Sequence, residues 1–321
     1  MTSNSYTEIA EQLKKARSVA VFCHARPDGD ALGSGLALCL ALQNAGISAI
    51  MCCEDTPPEK FSFLSAMKSV RRGLPTKQQF DTFVCVDSAD VTRIGIFADA
   101  FSKFSGTTIN IDHHVSNPCY AKYNLVNVCP ASCEIVTDVL KTAGFEIDKE
   151  IADLLMLGLI TDSGNFTHCD VEAKSFETAA YLRSKGADVN LINYNMFGRQ
   201  PKARAILYGR VMNNIRFALD DRLTFIVTSL TDLTETGADK TLTEGFVDFP
   251  LTVDGVEVSV SLMEVKKRHY KVSLRSKGKV NVNAVASVFG GGGHILASGC
   301  VLSGELEEVI EKLTYAVYQN L

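Results

Sequence analysis

The run Asn110-Ile111-Asp112-His113-His114-Val115 sets an acid and two adjacent imidazoles directly behind the apolar-rich stretch Thr107 to Ile111. Three other segments repeat that arrangement. His24-Ala25-Arg26-Pro27-Asp28-Gly29-Asp30, Val84-Cys85-Val86-Asp87 and Gly158-Leu159-Ile160-Thr161-Asp162-Ser163-Gly164 each place Asp or His where an apolar segment ends. Gathered in a partly buried cleft, Asp28, Asp30, Asp87, Asp112 and Asp162 would each be costly by several kcal/mol unless compensated. Divalent metal removes that penalty. Mixed carboxylate and imidazole ligation suits Mn2+, with Zn, Co or Fe also suitable and Mg2+ less favoured because His is present. Two ions about 3.5–4 Å apart, bridged by a carboxylate, would hold a hydroxide whose pKa is near ~7 and direct it at phosphorus.

Each residue has a duller role open to it. Asp30 precedes the apolar run of a helix and could be its N-cap. Asp87 followed by Ser88 could cap the next helix, and Asp162-Ser163-Gly164 could be an ordinary turn. Taken alone, His113 and His114 would more often be structural. Their coincidence argues otherwise: four Asp/His clusters end apolar segments in a chain with 6 His.

The elements that must position these residues fall into two architectures. In the first, strands at Ser18 to Cys23, Ile47 to Cys53, Thr82 to Val86 and Thr107 to Ile111 alternate with helical patterns, beginning with Ala31 to Ala45, stopped by Gly46. This alternation predicts an α/β fold with a parallel sheet, whose ligands gather outside the carboxyl ends of the strands, where His24, Asp87 and Asp112 fall. Helices are expected over Ser132 to Ala143, Asp148 to Ile160 and Ala173 to Lys185, with Gly144 and Gly186 as stops. After a polar helical stretch the period changes to two: Leu223 to Ser229, Val256 to Glu264 and Tyr270 to Arg275 read as strands, Ala284 to Val288 and Leu306 to Tyr318 as helices. The expected division is a parallel-sheet domain over 1–190, a helical linker over 191–207 and a smaller α+β domain over 208–321.

With 321 residues and 46% hydrophobic content the chain can fill about two cores. No apolar run approaches the ~18 residues of a membrane span, and the polar start lacks a secretory pattern, so a cytoplasmic location without membrane contact is expected. Most of the 10 cysteines, such as Cys23, Cys39, Cys85 and Cys133, lie in apolar segments and read as small buried hydrophobes. The net charge of −5 argues against a generic nucleic-acid coat. It is uneven: residues 1–190 hold 17 Lys+Arg against 23 Asp+Glu, and residues 191–321 hold 15 against 14. Lys266, Lys267, Arg268, Lys271, Arg275, Lys277 and Lys279 form either a local anion-binding surface or the solvated face of a hairpin.

The ordered set His24-x-x-Pro27-Asp28-x-Asp30-x-x-Gly33-Ser34, Asp87, Asp112-His113-His114 and Thr161-Asp162-Ser163-Gly164 resembles the four motifs of the DHH phosphoesterases. Gly290-Gly291-Gly292-Gly293-His294-x-x-Ala297-x-Gly299 resembles the signature of the DHH-associated C-terminal domain. The resemblance implies an active site in the cleft between the two domains, with His24 and Asp28 on one metal, Asp30, His113 and Asp162 on the other, and Asp87 bridging them. It further implies that Asp112 orients His113 through its other ring nitrogen and that His114 stabilises the charge of the scissile phosphate. Arg275, Ser276, Gly291, Gly292, Gly293 and His294 would contact substrate, the glycine-rich backbone offering its N–H groups to an anion.

Two-domain size resembles the oligoribonuclease (nanoRNase) and pAp phosphatase branch, so short single-stranded RNA and 3′-phosphoadenosine 5′-phosphate are the expected substrates. Two divalent ions are implied, Mn2+ before Mg2+ or Co2+. Hydrolysis of linear dinucleotides such as pApA or pGpG stays open as the alternative, as does a homodimer. Pyrophosphatases and exopolyphosphatases share the metal motifs but lack the glycine-rich loop with His294, and a catalytically idle RNA-binding protein would have little use for the full metal set.

Overall fold

Short apolar strands separated by helices form a parallel sheet in Met1–Arg199, the first of two units in a computed structural model that describes residues 3–75, 78–168 and 170–321. In chain order this unit contains α1 (Tyr6–Lys15), β1 (Ser18–Phe22), α2 (Gly29–Asn44), β2 (Ser48–Cys52), β3 (Thr82–Val86), α3 (Ala98–Ser102), β4 (Thr107–Asp112) and β5 (Tyr123–Val126). The helices α4 (Ser132–Ala143), α5 (Lys149–Asp162), α6 (Ala173–Ser184) and α7 (Val189–Asn193) follow. The strand order is β2-β1-β3-β4-β5, every pair parallel. From β1 the chain moves to one side for β2 and to the other for β3, so the order reverses between β1 and β3. A crevice opens outside the carboxyl ends of the strands at such a point. His24 and Asp87 follow those two strands.

Each face of the sheet is covered. Val19, Val21, Val84, Val86, Ile109 and Ile111 pack against α2, α4 and α5. On the opposite face Phe22, Phe83, Phe97 and Phe101 form an aromatic layer. Helix α2 is buried almost all round, which is why its sequence shows no narrow apolar stripe. It meets α5 through glycines. A Cβ on Gly33 would stand 2.4 Å from the Leu154 carbonyl oxygen, and one on Gly158 would stand 2.2 Å from Cys133 Sγ and 2.9 Å from the Cα of Asp30. Only hydrogen fits there, and the close approach sets the start of α2 beside the end of α5.

The unit Gln200–Leu321 contains α8 (Lys202–Asn213), β6 (Arg216–Ala218), β7 (Leu223–Thr228), α9 (Leu230–Thr236), β8 (Val258–Lys266), β9 (His269–Ser276), α10 (Val282–Val288), β10 (Gly292–Gly293), β11 (Ala297–Ser303) and α11 (Leu306–Tyr318). Its six strands run in the order β10-β11-β9-β8-β7-β6, with only β7 and β8 parallel. The period-two pattern of β9 buries Tyr270, Val272 and Leu274 in a core that also contains Val285 of α10 and Leu313 of α11, while Lys271, Ser273 and Arg275 take the other face. Both architectures agree with the sequence expectation. The elements not anticipated are α1, despite the capping box that Ser5 and Glu8 form at its start, and the short or weakly patterned α3, β5, β6, α9, β10 and β11. No helix among the described residues is long and apolar enough to cross a membrane.

Candidate metal centre

Four segments of the first unit deliver their polar side chains to the carboxyl ends of β1, β3 and β4. His24, just beyond β1, directs Nδ1 to its neighbour Ala25, whose carbonyl oxygen lies 2.8 Å away, and so leaves Nε2 free. That nitrogen lies 3.5 Å from Asp28 Oδ2 and 3.5 Å from Asp87 Oδ2. Asp28 divides its carboxylate between two tasks. Its Oδ1 accepts from the N–H groups of Asp30 (3.1 Å) and Ala31 (3.0 Å) as the N-cap of α2, and Oδ2 faces His24. The cap role considered for Asp30 therefore belongs to Asp28.

Asp30 is fully buried, and both of its oxygens accept backbone N–H groups, from Ser132 at 2.6 Å and Cys133 at 2.9 Å. Helix α4 begins after Ala131, which has no capping side chain, so Asp30 supplies the missing acceptor from across the fold. Asp87 adopts φ +50°, the left-handed region that a non-glycine residue occupies only under constraint. The turn aims one oxygen at each histidine: Oδ2 at His24 and Oδ1 at His113 Nε2, 3.4 Å away. Ser132 Oγ donates to the same Oδ1 at 3.2 Å. His113 Nε2 also stands 3.5 Å from Asp162 Oδ2, and α5 runs to Asp162 itself, so this residue ends a helix instead of opening a free turn.

Three sets of ligand atoms result, those of each set within 4.8 Å of one another: His24-Asp28-Asp87, Asp30-His113-Asp162 and Asp87-His113-His114. Around an ion held at about 2.1 Å, ligand atoms stand roughly 3.0–3.4 Å apart, close to these spacings. The donor chemistry fits divalent metal. Among the described residues no Lys or Arg pairs with Asp28, Asp30, Asp87, Asp112 or Asp162; Asp28, Asp87, Asp112 and Asp162 pair with histidines instead. In the third set, His114 Nδ1 lies 3.9 Å from Asp87 but 2.8 Å from Asp112 Oδ1, so that nitrogen is already engaged.

The electrostatics record the same crowding. Burial raises the Asp30 carboxyl well above its usual range, and the charges of Asp87 and Asp162 add to the rise. Burial, then Asp87, pushes Asp162 up to about 6. Burial would also raise Asp87, but His113 and His24 on its two oxygens override it and hold the carboxyl well below the usual range. Burial acts to lower both imidazoles, yet the carboxylates prevail and push His24 and His113 up to about 10. Asp28 and Asp87 raise His24; Asp87 and Asp30 raise His113.

Likeness to known proteins agrees with this geometry. Residues 18–159 match the DHH family N-terminal domain and residues 223–319 the DHHA1 domain. A bifunctional oligoribonuclease and PAP phosphatase, NrnA of Thermus thermophilus, is 30% identical over 98% of this chain and 93% of that protein. The chain belongs to the DHH family. NrnA of Mycoplasma pneumoniae is 25% identical over 94% of this chain and 92% of its own length. The crystal structure of an exopolyphosphatase-related protein from Bacteroides fragilis superposes with a TM-score of 0.83 at 26% identity, covering 98% of this chain and 95% of that one.

Within this DHH-family chain one expected partnership is corrected. Asp112 was expected to orient His113, but its Oδ1 accepts from His114 Nδ1 at 2.8 Å, while Asn117 Nδ2 donates to Oδ2 at 2.6 Å. His113 Nδ1 instead faces the Cys129 carbonyl oxygen at 2.9 Å. The reason is local. Asp112 is the last residue of β4 and points into the fold, and the chain turns after it, bringing the second histidine back over the carboxylate. Ser132, Asn117, the Cys129 carbonyl and Arg93, whose Nη1 lies 3.4 Å from His114 Nε2, went unnoticed in the sequence. Only the start of a predicted helix at Ser132 carried any signal.

In the second unit Arg275 lines a cavity of about 410 Å³ with Lys240, Lys271, Ser261 and Ser273, and its Nε pairs with Asp248 at 3.2 Å. Ser276 is buried on the opposite face, where its Oγ accepts from Gly278 N–H. Gly292 and Gly293 form the edge strand β10 against Gly299 and Ser298, and His294 closes a turn with Ala297. Gly291 is required by packing: a Cβ would lie 2.2 Å from the Gly299 carbonyl oxygen. An edge strand leaves backbone groups on its outer side without a strand partner.

Proposed function

We propose that this phosphoesterase hydrolyses short oligoribonucleotides and 3′-phosphoadenosine 5′-phosphate in the cytoplasm, using two divalent ions, Mn2+ in preference to Mg2+ or Co2+. The observation that carries this is Asp87, which faces His24 with one oxygen and His113 with the other. His24 and Asp28 would hold one ion, Asp30, His113 and Asp162 the second, and Asp87 both. The metals, when bound, supply an activated water at neutral pH and positive charge for the phosphoryl oxygens. The names and extents of the NrnA relatives support the substrate class.

The chain's own residues do the rest. Asp112, held by Asn117, fixes the His114 ring through Nδ1 and compensates positive charge on it. His114 Nε2 then faces outward, where a protonated ring donates to a phosphoryl oxygen as charge builds there. Asp30, locked by two N–H groups of α4, keeps the second ligand set in place without needing to reorganise. Arg275 and the outer side of β10 are proposed to grip the remainder of the substrate.

A panel of pAp, 5′-phosphorylated 2- to 5-mers of RNA and DNA, pApA, pGpG, pyrophosphate and polyphosphate, each with Mn2+ and Mg2+, tests this assignment. Turnover of pAp and short RNA is expected to exceed that of the others. Preference for pyrophosphate or polyphosphate would reject the assignment, and preference for pApA or pGpG would move it to the linear-dinucleotide class.

A further inference from the structure

Among the described residues Arg93 is a cation beside the centre that enters no metal set or capping role. It lies in a 3-10 segment, Val91–Phe97, whose backbone is tied to the loops around the site. Its carbonyl oxygen accepts from Ala25 N–H at 2.7 Å, one residue after His24. Three residues on, Ile96 N–H donates to Glu54 Oε2 at 3.0 Å, and Gly95, at φ +61°, has no space for a Cβ beside the Glu54 carboxylate. Asp90 caps the start of the segment by accepting from Thr92 N–H at 2.7 Å. The backbone is thus held while the side chain is exposed.

The guanidinium forms no ion pair among the described residues, although the site is rich in carboxylates; it reaches the imidazole of His114 instead. Arginine is only ever a donor, so His114 Nε2 accepts and Nδ1–H donates to Asp112 in this state. The pair leaves most of the guanidinium fork unused. The free N–H groups of that fork can take the oxygens of an anion placed beside the ring at about 2.8 Å, the usual length of a charge-assisted hydrogen bond.

We propose that Arg93 grips the phosphoryl group under attack beside the His114 ring, an inference that rests on the phosphoester chemistry proposed above. In the free protein Arg93 holds His114 in the tautomer that bonds Asp112. With substrate in place the guanidinium turns from the ring to the phosphoryl oxygens. A planar fork suits that task better than an ammonium, whose single point of charge lacks the paired donors.

The test uses the Mn2+-loaded full chain and its Arg93→Gln and Arg93→Lys variants, with pAp and bis-p-nitrophenyl phosphate as substrates and inorganic phosphate as inhibitor. Arg93→Gln is expected to lower kcat/KM about 10²-fold on both esters, as for loss of one preorganised donor. The inhibition constant of phosphate should rise about tenfold, roughly the strength of one charge-assisted hydrogen bond. Arg93→Lys should recover part of each loss. Calorimetric Mn2+ affinity and Tm should stay at wild-type values. Wild-type kcat/KM in Arg93→Gln, an unchanged phosphate constant despite slower turnover, or a parallel loss of Mn2+ affinity would each overturn the assignment, the last two by reducing Arg93 to support for its neighbours. If the wild type cleaves bis-p-nitrophenyl phosphate but neither pAp nor short RNA, the substrate assignment fails, and Arg93 is still decided on the generic ester.

Discussion

Asp87 offers each of its oxygens to a different histidine, and no other carboxylate of the site does so. Removing it should therefore affect both halves of the centre. Asp87→Ala is expected to abolish nearly all turnover and to lower bound Mn2+ measured by atomic emission; a variant retaining full metal and activity would refute a shared ligand. His114 differs in that its near nitrogen is taken by Asp112. His114→Ala should reduce kcat by roughly 10²–10³-fold, the loss that follows removal of one preorganised transition-state donor, with metal content near wild type. An equal fall in bound metal would put His114 among the ligands. Asp112 acts through His114, so Asp112→Ala should lower kcat without adding to the loss already present in His114→Ala.

At the scale of elements, the centre depends on how closely α2 and α5 cross. Gly158 lets Asp30, near the start of α2, pass within a distance that a methyl group would block, and Cys133 of α4 closes the other side. Gly158→Ala should destabilise the chain by ~1–3 kcal/mol, the usual cost of overpacking a filled core. Urea unfolding of the chelated protein measures this, and Mn2+ titration should show weaker binding in the same variant, since Asp30 and Asp162 are set by that crossing. Unchanged Mn2+ affinity alongside the stability loss would mean that the ligands do not depend on the glycine contact. The alternation of strand and helix, and the ends of β3, α4 and α11, were legible in the sequence because apolar periodicity and glycine stops are local. Strand β5 and the 3-10 segment carrying Arg93 were not, since four buried-edge residues and a turn-like run have no distinctive period.

For the whole molecule, charge and stability are linked through the two imidazoles. In the chelated chain His24 and His113 are pushed up to about 10, against about 6.5 when unfolded. Groups raised in this way contribute stability that is fully present below pH ~6.5 and lost as pH rises through about 10. The Tm of EDTA-treated protein should therefore fall between pH 7 and pH 10. Metal must displace these protons, so the gain in Tm on adding Mn2+ should widen from pH 6.5 to pH 8.5. A gain that shrinks over that range would contradict ligation by the two histidines. Division of labour between the units is tested at Arg275: Arg275→Ala should lower kcat/KM for pAp at least about tenfold more than for bis-p-nitrophenyl phosphate, because a small ester has no distal phosphate to grip. Equal losses would remove Arg275 from substrate reading.

Residue types and their spacing along the chain were enough to mark out the four Asp/His clusters and the family resemblance, which in turn implied the six candidate ligands, because each cluster follows an apolar strand or bounds a helix whose period is written locally. Who holds whom was decided only in three dimensions. Asp112 and His114 are two positions apart, yet the turn after β4 decides that His114, and not His113, receives the carboxylate. Asp28 takes the cap expected of Asp30 because the helix starts two residues earlier. Arg93 and Asn117 reach the site from short loops whose direction depends on Glu54, Ala25 and Asp112, partners remote in sequence for Arg93 and close for Asn117. Hydrogen bonds act over about 3 Å, and a sequence reports order along the chain, so only folding specifies which donors and acceptors come within that reach.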